Sequence, residues 1–220
     1  MAINTIVSYD GTPNDDDALA LARVLSGAGA DLTLAYVRHT AGGQDEAEAH
    51  ARLVRGAAAL GETEAETRVV VNASTSEGLK ELATREEAEL IVFGSDYRTA
   101  AGRIAPQNST RTLLDGGPIA VAIAPAGYAG GEIKTIGLLA GLEDHAAIDT
   151  AHALAKHFDA EVTDKNYNVD LLIVGSRPEA PEGQTLISAQ AENAMIGTSA
   201  PVLVVARGVA LKFSAGVYIA

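Results

Sequence analysis

Short apolar segments alternate with stretches of helical periodicity along the first half of this chain, and the alternation restricts the folds open to it. The five apolar segments are residues 4–10, 30–38, 67–72, 89–94 and 118–124. Between the first two, Ala18, Leu21, Ala22 and Leu25 recur at the spacing of one helix face. Because strands that alternate with helices are usually buried on both faces, the pattern predicts an α/β fold with a parallel sheet covered by helices.

Polar residues mark where two of the helices begin. Asn14, Asp15 and Asp16 follow the first strand and supply a cap and first-turn acids, which are favourable at a helix N-terminus. Ser74 and Glu77 have the spacing of a capping box and predict the start of a third helix.

The loops after Asp10 and Gly94 are the natural places for a ligand. In open parallel sheets, ligands bind beyond the carboxyl ends of the strands, where the strand order reverses. The second of these loops leads into a predicted helix over residues 108–114, so its turn could present backbone N–H groups to an anion.

The second part of the chain repeats the first in shortened form. After a glycine-rich segment at 126–132, three segments match earlier ones: 134–141 parallels 4–11, 170–176 parallels 89–95, and 201–208 parallels 118–127. The interval from Asp10 to Gly94 is 84 positions, whereas the matching interval from Ala140 to Gly175 is 35. The second copy therefore lacks about 49 residues, equivalent to a helix, a strand and another helix.

Composition excludes several classes of function. Hydrophobic residues make up 47% of the 220 positions, the formal net charge is −13, and there is no cysteine. An acidic surface repels phosphate backbones, so a nucleic-acid partner is not expected. The N-terminus has no signal-peptide pattern, and no apolar run is long enough for a membrane span, so the sequence predicts a cytoplasmic protein without a membrane partner.

Catalytic and metal-binding patterns are also missing from the sequence. The motifs G-x-S-x-G and Walker A do not occur. His152 and His157 are spaced for different faces of one helix, and the acids at 15–17 are explained by a helix first turn. We therefore expect no catalytic residues and no metal site.

At these residues the chain resembles the universal stress protein family in its tandem form. The resemblance rests on the order of a strand ending in Asp-Gly, "IVFGS", a long turn, a helix and "GGPIAVAIAPAG", and on a second copy with "LLIVGSRPEAPEGQTLISAQAEN" and "APVLVVARG". It implies two parallel sheets of the adenine-nucleotide-alpha-hydrolase-like (universal stress protein) fold, packed as an intrachain pseudo-dimer with a truncated second copy. The implied domains are residues 1–127 and 128–210, followed by a tail at 211–220. Their last strands, at 118–124 and 201–206, would pair antiparallel.

The resemblance also implies a nucleotide site in the first half. Nucleotide-binding members carry a strand-end Asp and the motif G-x-x-G-x9-G-[S/T], and here Asp10 and Gly94 match the Asp and the first glycine. The residues proposed for the site are Asp10, Val37, Gly94, Ser95, Arg98, Asn108 and Thr110. Arg98 is included because it flanks the turn, not because it matches the family motif. Tyr97 and Gln107 replace the second and third glycines, and Asn108 replaces the hydroxyl residue, so the phosphate cradle is eroded.

Alternative roles remain open at several of these positions. Asp10 either caps a turn or contacts a ligand, and Gly94 and Ser95 either turn the chain or bind. Arg98 and Arg103 flank the turn, where they either lie in solvent, pair with an acid or attract a phosphate. Tyr97 either stacks on a base or covers the emptied pocket, and the second role is expected.

The second half departs further from the family pattern. Ala140 replaces the Asp, Pro178 and Ser188 replace two glycines, and Ala189 replaces the hydroxyl residue. The second half is therefore predicted not to bind nucleotide.

These observations favour a non-enzymatic stress-response sensor or scaffold with a degenerate nucleotide site and no resident cofactor. The alternative is a protein that binds ATP or another adenine nucleotide in the first half, with slow ATP hydrolysis. A third hypothesis is an interaction module that recruits a protein partner through the acidic surface or the tail at 211–220. Association of two chains into a homodimer is left open by the sequence.

Overall fold

A nine-stranded sheet forms the centre of the molecule in the computed structural model, which describes residues 2–40, 43–61 and 63–213. The elements of the first half are β1 (Ile3–Ser8), α1 (Asp15–Gly27), β2 (Ala30–Arg38), α2 (Gly43–Ala59), β3 (Ala65–Val71), α3 (Thr75–Arg85), β4 (Leu90–Gly94), α4 (Asn108–Leu114), β5 (Asp115–Gly117) and β6 (Ala120–Ala124). Those of the second half are β7 (Thr135–Leu139), α5 (His145–Phe158), β8 (Glu161–Thr163), β9 (Leu171–Val174), β10 (Thr185–Leu186), α6 (Ala189–Gly197) and β11 (Val202–Val204). The predicted α/β fold is confirmed.

The strand order is β3-β2-β1-β4-β6-β11-β9-β7-β8. The first five strands pair in parallel, and so do the last four. Since β1 lies between β2 and β4, the strand order reverses there. The loops after β1 and β4 therefore diverge and leave a crevice, where the sequence predicted a ligand.

The two halves meet at an antiparallel pair of strands. In β6 and β11, Val204 lies opposite Val121 and Leu203 opposite Ala122. A small second sheet adds to this contact, because β10 pairs with β5 and the buried Thr185 hydroxyl donates to the carbonyl of Gly117. The main apolar clusters on both faces of the sheet include residues from both halves, so the halves share one interior.

A short loop in the second half covers the sheet face that α3 covers in the first half. This loop, between β8 and β9, brings the carbonyl of Lys165 directly over Gly137 of β7. A Cβ at position 137 would lie 2.4 Å from that oxygen, which is too close for any side chain. Gly137 therefore allows the loop to lie flat on the strand.

Gly137→Ala is expected to lower the free energy of unfolding by about 1–2 kcal/mol, because the loop must move to relieve the contact. Thermal or urea denaturation would measure this loss. Gly141→Ala is the matched control, since a Cβ there meets nothing within 4 Å. Equal stability of the two variants would show that the loop does not pack on β7 as described.

The acidic side chains at the start of α1 do more than interact favourably with the positive end of the helix. They also take part in contacts with other segments of the chain. Asp16 is exposed, but Asp15 and Asp17 are buried, and Asp17 Oδ2 accepts a bond of 2.9 Å from the N–H of Gly127. The predicted cap Asn14 makes no side-chain capping bond; its amide donates instead to the carbonyls of Ser95 and Asp96. The start of α1 is thus tied to the loop after β4 and to the segment after β6.

The first residues of the predicted tail pack into the interior. Leu211 and Phe213 are buried in the cluster that contains α5, and the N–H of Leu211 donates to the hydroxyl of Thr150. The rest of the predicted tail, residues 214–220, lies outside the described residues.

Within the described ranges, no helix combines the length and apolar character needed to cross a membrane.

Candidate functional site

A cleft of about 300 Å³ opens at the carboxyl ends of β1, β2 and β4. Its lining residues are Ser8, Tyr9, Asp10, Thr12, Asp15, Ala35, Tyr36, Val37, His39, Arg52, Thr75, Phe93, Gly94, Gln107 and Ser109. The structure thus brings together Asp10, Val37 and Gly94, three of the residues proposed from sequence. They are far apart in the chain and meet because their strands are neighbours in the sheet.

The inner wall of the cleft is apolar. Val37 and Phe93 are 7% and 3% exposed and come from the ends of β2 and β4. Tyr36, the residue before Val37, is half-buried and also lines the cleft. This wall can accept a flat apolar surface such as a heteroaromatic ring.

Gly94 has a packing role that the sequence did not reveal. A Cβ built on it would lie 2.0 Å from the main-chain oxygen of Asn14. The absence of a side chain therefore lets the start of α1 sit against the end of β4. Gly94 is needed for this close approach whether or not a ligand binds.

The loop between β1 and α1 is organised by the carboxylate of Asp15. Its Oδ2 atom accepts hydrogen bonds from three consecutive backbone N–H groups, those of Asp10, Gly11 and Thr12, at 2.6, 2.7 and 3.1 Å. The carboxylate of Asp10 accepts a second bond from the N–H of Thr12 at 2.9 Å. Asp10 therefore caps its own turn, as one sequence interpretation proposed, while its side chain still lines the cleft.

Two acidic groups lie close together in this loop, and one of them is buried. Asp15 is 4% exposed, whereas Asp10 is exposed. Burial, and after it the neighbouring Asp10 carboxylate, raise the pKa of the Asp15 carboxyl to about 7, although the N–H bonds oppose the rise. The cleft therefore contains a carboxyl that titrates near neutral pH.

This titration gives the wild-type protein a pH-dependent stability. The folded state binds the Asp15 proton more tightly than the unfolded state does, whose pKa is near 3.8. The stabilisation is complete below about pH 4 and is lost as the pH rises through about 7, an effect on the order of 4 kcal/mol. Asp15→Asn, which keeps an oxygen acceptor, should flatten this part of the pH profile of the melting temperature.

The matched control for this prediction is Asp16→Asn, one residue along the same helix on its exposed face. It should retain the wild-type slope. If Asp15→Asn and the wild type lose stability equally between pH 4 and 8, Asp15 is not the group responsible.

Arg52 supplies positive charge at the mouth of the cleft. One of its terminal nitrogens donates to the carbonyl of Asp10 at 3.0 Å and to the hydroxyl of Tyr36 at 3.3 Å. The other pairs with Glu48 at 2.9 Å, and the guanidinium lies 5.2 Å from the centre of the Tyr36 ring. Sequence reasoning missed Arg52, because nothing in the local pattern of α2 distinguishes it from other surface arginines.

The other residues proposed from sequence do not line the cleft. Ser95 is fully buried and donates to the carbonyl of Ala124 at 2.8 Å, so it serves the turn. Thr110 is fully buried in α4, where its hydroxyl has no partner among the described residues. Asn108 lines a neighbouring pocket, and the Arg98 guanidinium stacks over the ring of Tyr97.

Tyr97 does not cover the cleft, contrary to the expectation from sequence. Its side chain is 54% exposed and is absent from the cleft lining. The reason lies in a tight turn, in which the N–H of Thr99 donates to the Asp96 carbonyl and the N–H of Arg98 to the Asp96 carboxylate. This turn carries Tyr97 and Arg98 outwards as a stacked pair.

A polar pocket of about 470 Å³ adjoins the cleft, where α3 and α4 begin. Hydroxyl and amide side chains dominate its lining, which consists of Ser74, Thr75, Ser76, Asp96, Pro106, Gln107, Asn108, Ser109 and Thr112. Thr75, Gln107 and Ser109 line both spaces. The one ionisable side chain of this lining is the carboxylate of Asp96.

The corresponding end of the second half has a different cleft, of about 500 Å³. Its lining includes the carboxylates of Glu143, Asp144 and Glu182, together with Arg207. Asp144 caps α5 by accepting from the N–H of Ala147, and burial raises its pKa. Within the described part of the chain, no group of three or more acidic or histidine side chains is arranged to hold a metal ion.

The fold has counterparts among solved structures. A universal stress protein from Archaeoglobus fulgidus matches with a TM-score of 0.70 at 13% identity, over 94% of this chain and 100% of its own. A protein of unknown function from Pseudomonas aeruginosa matches with a TM-score of 0.64 at 14% identity, over 94% of this chain and 93% of its own. No protein-family model and no curated protein matches the sequence. At this level of identity the likeness shows that the chain has the fold of universal stress proteins.

Proposed function

We propose that this chain, which has the universal stress protein fold, is a tandem member of that family with a shortened second half, and that it acts as a non-enzymatic stress-response sensor or scaffold. The observation that carries the proposal is the composition of the first-half cleft. It keeps Asp10, Val37 and Gly94 at the point where strand order reverses, while Ser95, Arg98 and Thr110 lie outside it. The cleft therefore retains residues that would hold a nucleoside and lacks residues that would hold its phosphates.

The strand order supports the tandem interpretation. Outward from the β6–β11 pair, matching strands occur in the same order on both sides. They are β4, β1, β2 and β3 on one side, and β9, β7 and β8 on the other. The helices α1 and α5 follow the matching strands β1 and β7. The second series ends one strand earlier, in agreement with the interval that the sequence lacks.

The electrostatics of the cleft support a binding role without hydrolysis. Hydrolysis of ATP needs cationic groups placed around the transferred phosphoryl group. In this cleft Arg52 is held by Asp10, Tyr36 and Glu48, and the adjoining polar pocket contributes the carboxylate of Asp96. In the proposed sensor role, a small molecule in the cleft contacts the exposed Asp10, and a partner protein that binds this loop would detect the occupied state.

Calorimetric titration with Mg·ATP, combined with an assay of phosphate release, tests this function. We expect a dissociation constant weaker than about 10 μM, which corresponds to about −7 kcal/mol of binding free energy, and no phosphate release above that of buffer. Tight binding with steady phosphate release would overturn the proposal and establish the ATP-hydrolysing alternative.

Asp10→Ala is expected to abolish the rise in melting temperature caused by any ligand of the first-half cleft. The substitution removes a cleft carboxylate and the hydrogen bond that it accepts from the N–H of Thr12, and it also relieves the repulsion between Asp10 and Asp15, so the free protein should lose no more than about 1 kcal/mol. Thermal-shift measurements with adenosine and its nucleotides would show this. Asp149→Ala, in the second-half cleft, is the matched control, and loss of the shift there instead would place the ligand in the second half.

A further inference from the structure

Three consecutive backbone N–H groups converge on one point at the floor of the first-half cleft. Those of Asp10, Gly11 and Thr12 all lie within 3.1 Å of a single oxygen atom. Successive N–H groups that converge in this way form an anion-binding concavity, of the kind that holds phosphate in other proteins. Asp10 and Thr12 both line the cleft, so this concavity belongs to it.

The anion that occupies this concavity is part of the chain. It is Oδ2 of Asp15, on a side chain that is 4% exposed. A phosphate group approaching the loop would find the three donors already satisfied. Above about pH 7, where the Asp15 carboxyl is ionised, the phosphate would also meet its negative charge at close range.

The remaining charges of the region do not offset this repulsion. Asp10 lies on the same loop, and Asp96 lines the polar pocket next to the cleft. Arg98 is directed away, stacked on Tyr97, and Arg52 is engaged with Glu48 and the Asp10 carbonyl. His39 contacts the carbonyl of Asn72 through Nδ1.

We propose that the first-half cleft takes an uncharged, nucleoside-sized ligand in preference to its phosphorylated forms, and that Asp15 sets this preference by filling the N–H concavity with an internal carboxylate. The inference rests on the proposed function, which makes the cleft a ligand site. The apolar wall formed by Val37 and Phe93 would contact the ring of the ligand. The hydroxyl groups of Thr75 and Ser109 and the amide of Gln107 would face the polar part of the ligand. A space of about 300 Å³ fits a small ligand of this kind.

The test is a set of calorimetric titrations at about pH 8 with adenosine, AMP and ATP, on the wild type, Asp15→Asn and Asp16→Asn. The wild type should bind adenosine, with AMP and ATP at least ~10-fold weaker, because each phosphate enters the field of Asp15. Asp15→Asn keeps an oxygen acceptor without the charge. It should reduce the affinity difference between adenosine and its phosphorylated forms by ~10-fold or more. Asp16→Asn, on the exposed side of the same helix, should leave this affinity difference as it is in the wild type.

A second measurement does not depend on nucleosides. In Asp15→Ala the three N–H groups lose their internal acceptor, so inorganic phosphate should raise the melting temperature of this variant and leave that of the wild type unchanged. If the variants do not fold, the wild-type titrations still test the preference for the uncharged ligand, since they compare three ligands on one protein.

The outcomes separate this inference from the function on which it rests. Binding of ATP to the wild type as tightly as adenosine would overturn the inference and leave the cleft as a ligand site. An adenosine preference that persists unchanged in Asp15→Asn would remove Asp15 from its proposed role. Failure of all three ligands to bind any of the proteins would reject both the proposed ligand site and the inference.

Discussion

Gly94→Ala is expected to lower the free energy of unfolding by about 4 kcal/mol or more, among the largest effects of a single added methyl group. The new Cβ would lie 2.0 Å from the main-chain oxygen of Asn14, a distance that real structures essentially never show. Neither atom can rotate away, because the backbone fixes the position of the Cβ and the oxygen belongs to the backbone where β4 meets α1. The start of α1 must move, and with it the loop that the Asp15 carboxylate holds through its hydrogen bonds.

Urea denaturation followed by circular dichroism would measure the effect, and two glycines provide controls. At Gly175, the matching position in the second half, a Cβ would lie 2.0 Å from Oδ2 of Asp144, which is the end of a side chain that can rotate. Gly175→Ala should therefore cost less, about 1–2 kcal/mol. Gly27 at the end of α1 has nothing within 4 Å, so Gly27→Ala should be neutral or stabilise by up to about 1 kcal/mol. Wild-type stability of Gly94→Ala would contradict the close packing of α1 on β4.

Leu203→Ala should cost about 3 kcal/mol and should destabilise both halves together. Leu203 is 1% exposed, lies opposite Ala122 in the antiparallel pair, and packs in a cluster that includes Val92 and Ile173. Removal of a buried leucine side chain leaves a cavity, at a typical cost of about 2–5 kcal/mol. Because the cluster spans both halves, the loss should be shared.

Hydrogen exchange would show whether the loss is shared. Amides of β1 and of β7 should both lose protection in Leu203→Ala, and the unfolding transition should remain single. Leu142→Ala is the control, since this side chain is 94% exposed and its removal should change stability by less than about 0.5 kcal/mol. Two separate transitions, with only the second half affected, would mean that the halves are energetically independent.

The strands and helices were predictable from sequence where apolar residues recur with one clear period. The predicted strand at 30–38 agrees with the structure at both ends. The predicted helix at 108–114 also agrees at both ends, although its apolar residues are only Leu113 and Leu114. The pairing of β5 with β10 was missed, because strands of three and two residues contain too few positions to show any period. The sequence pattern therefore predicted the main sheet but not the small second sheet.

Only the site residues that lie at the ends of strands could be predicted from the sequence. Asp10 and Gly94 follow from the rule that ligands lie where parallel strands end, and the structure places both at one cleft. The role of Asp15 did not follow, because a first-turn acid has the same pattern whether it faces solvent or folds back onto the preceding loop. Arg52 reaches Asp10 from another helix, and a contact between such distant positions leaves no local trace in one sequence.

The antiparallel contact of β6 with β11 has a consequence for how the protein responds to dilution. Two surfaces carried by one chain meet at a fixed effective concentration, whereas two separate chains dissociate as their total concentration falls. The assembled state here is therefore the same in a cell that makes few copies as in one that makes many.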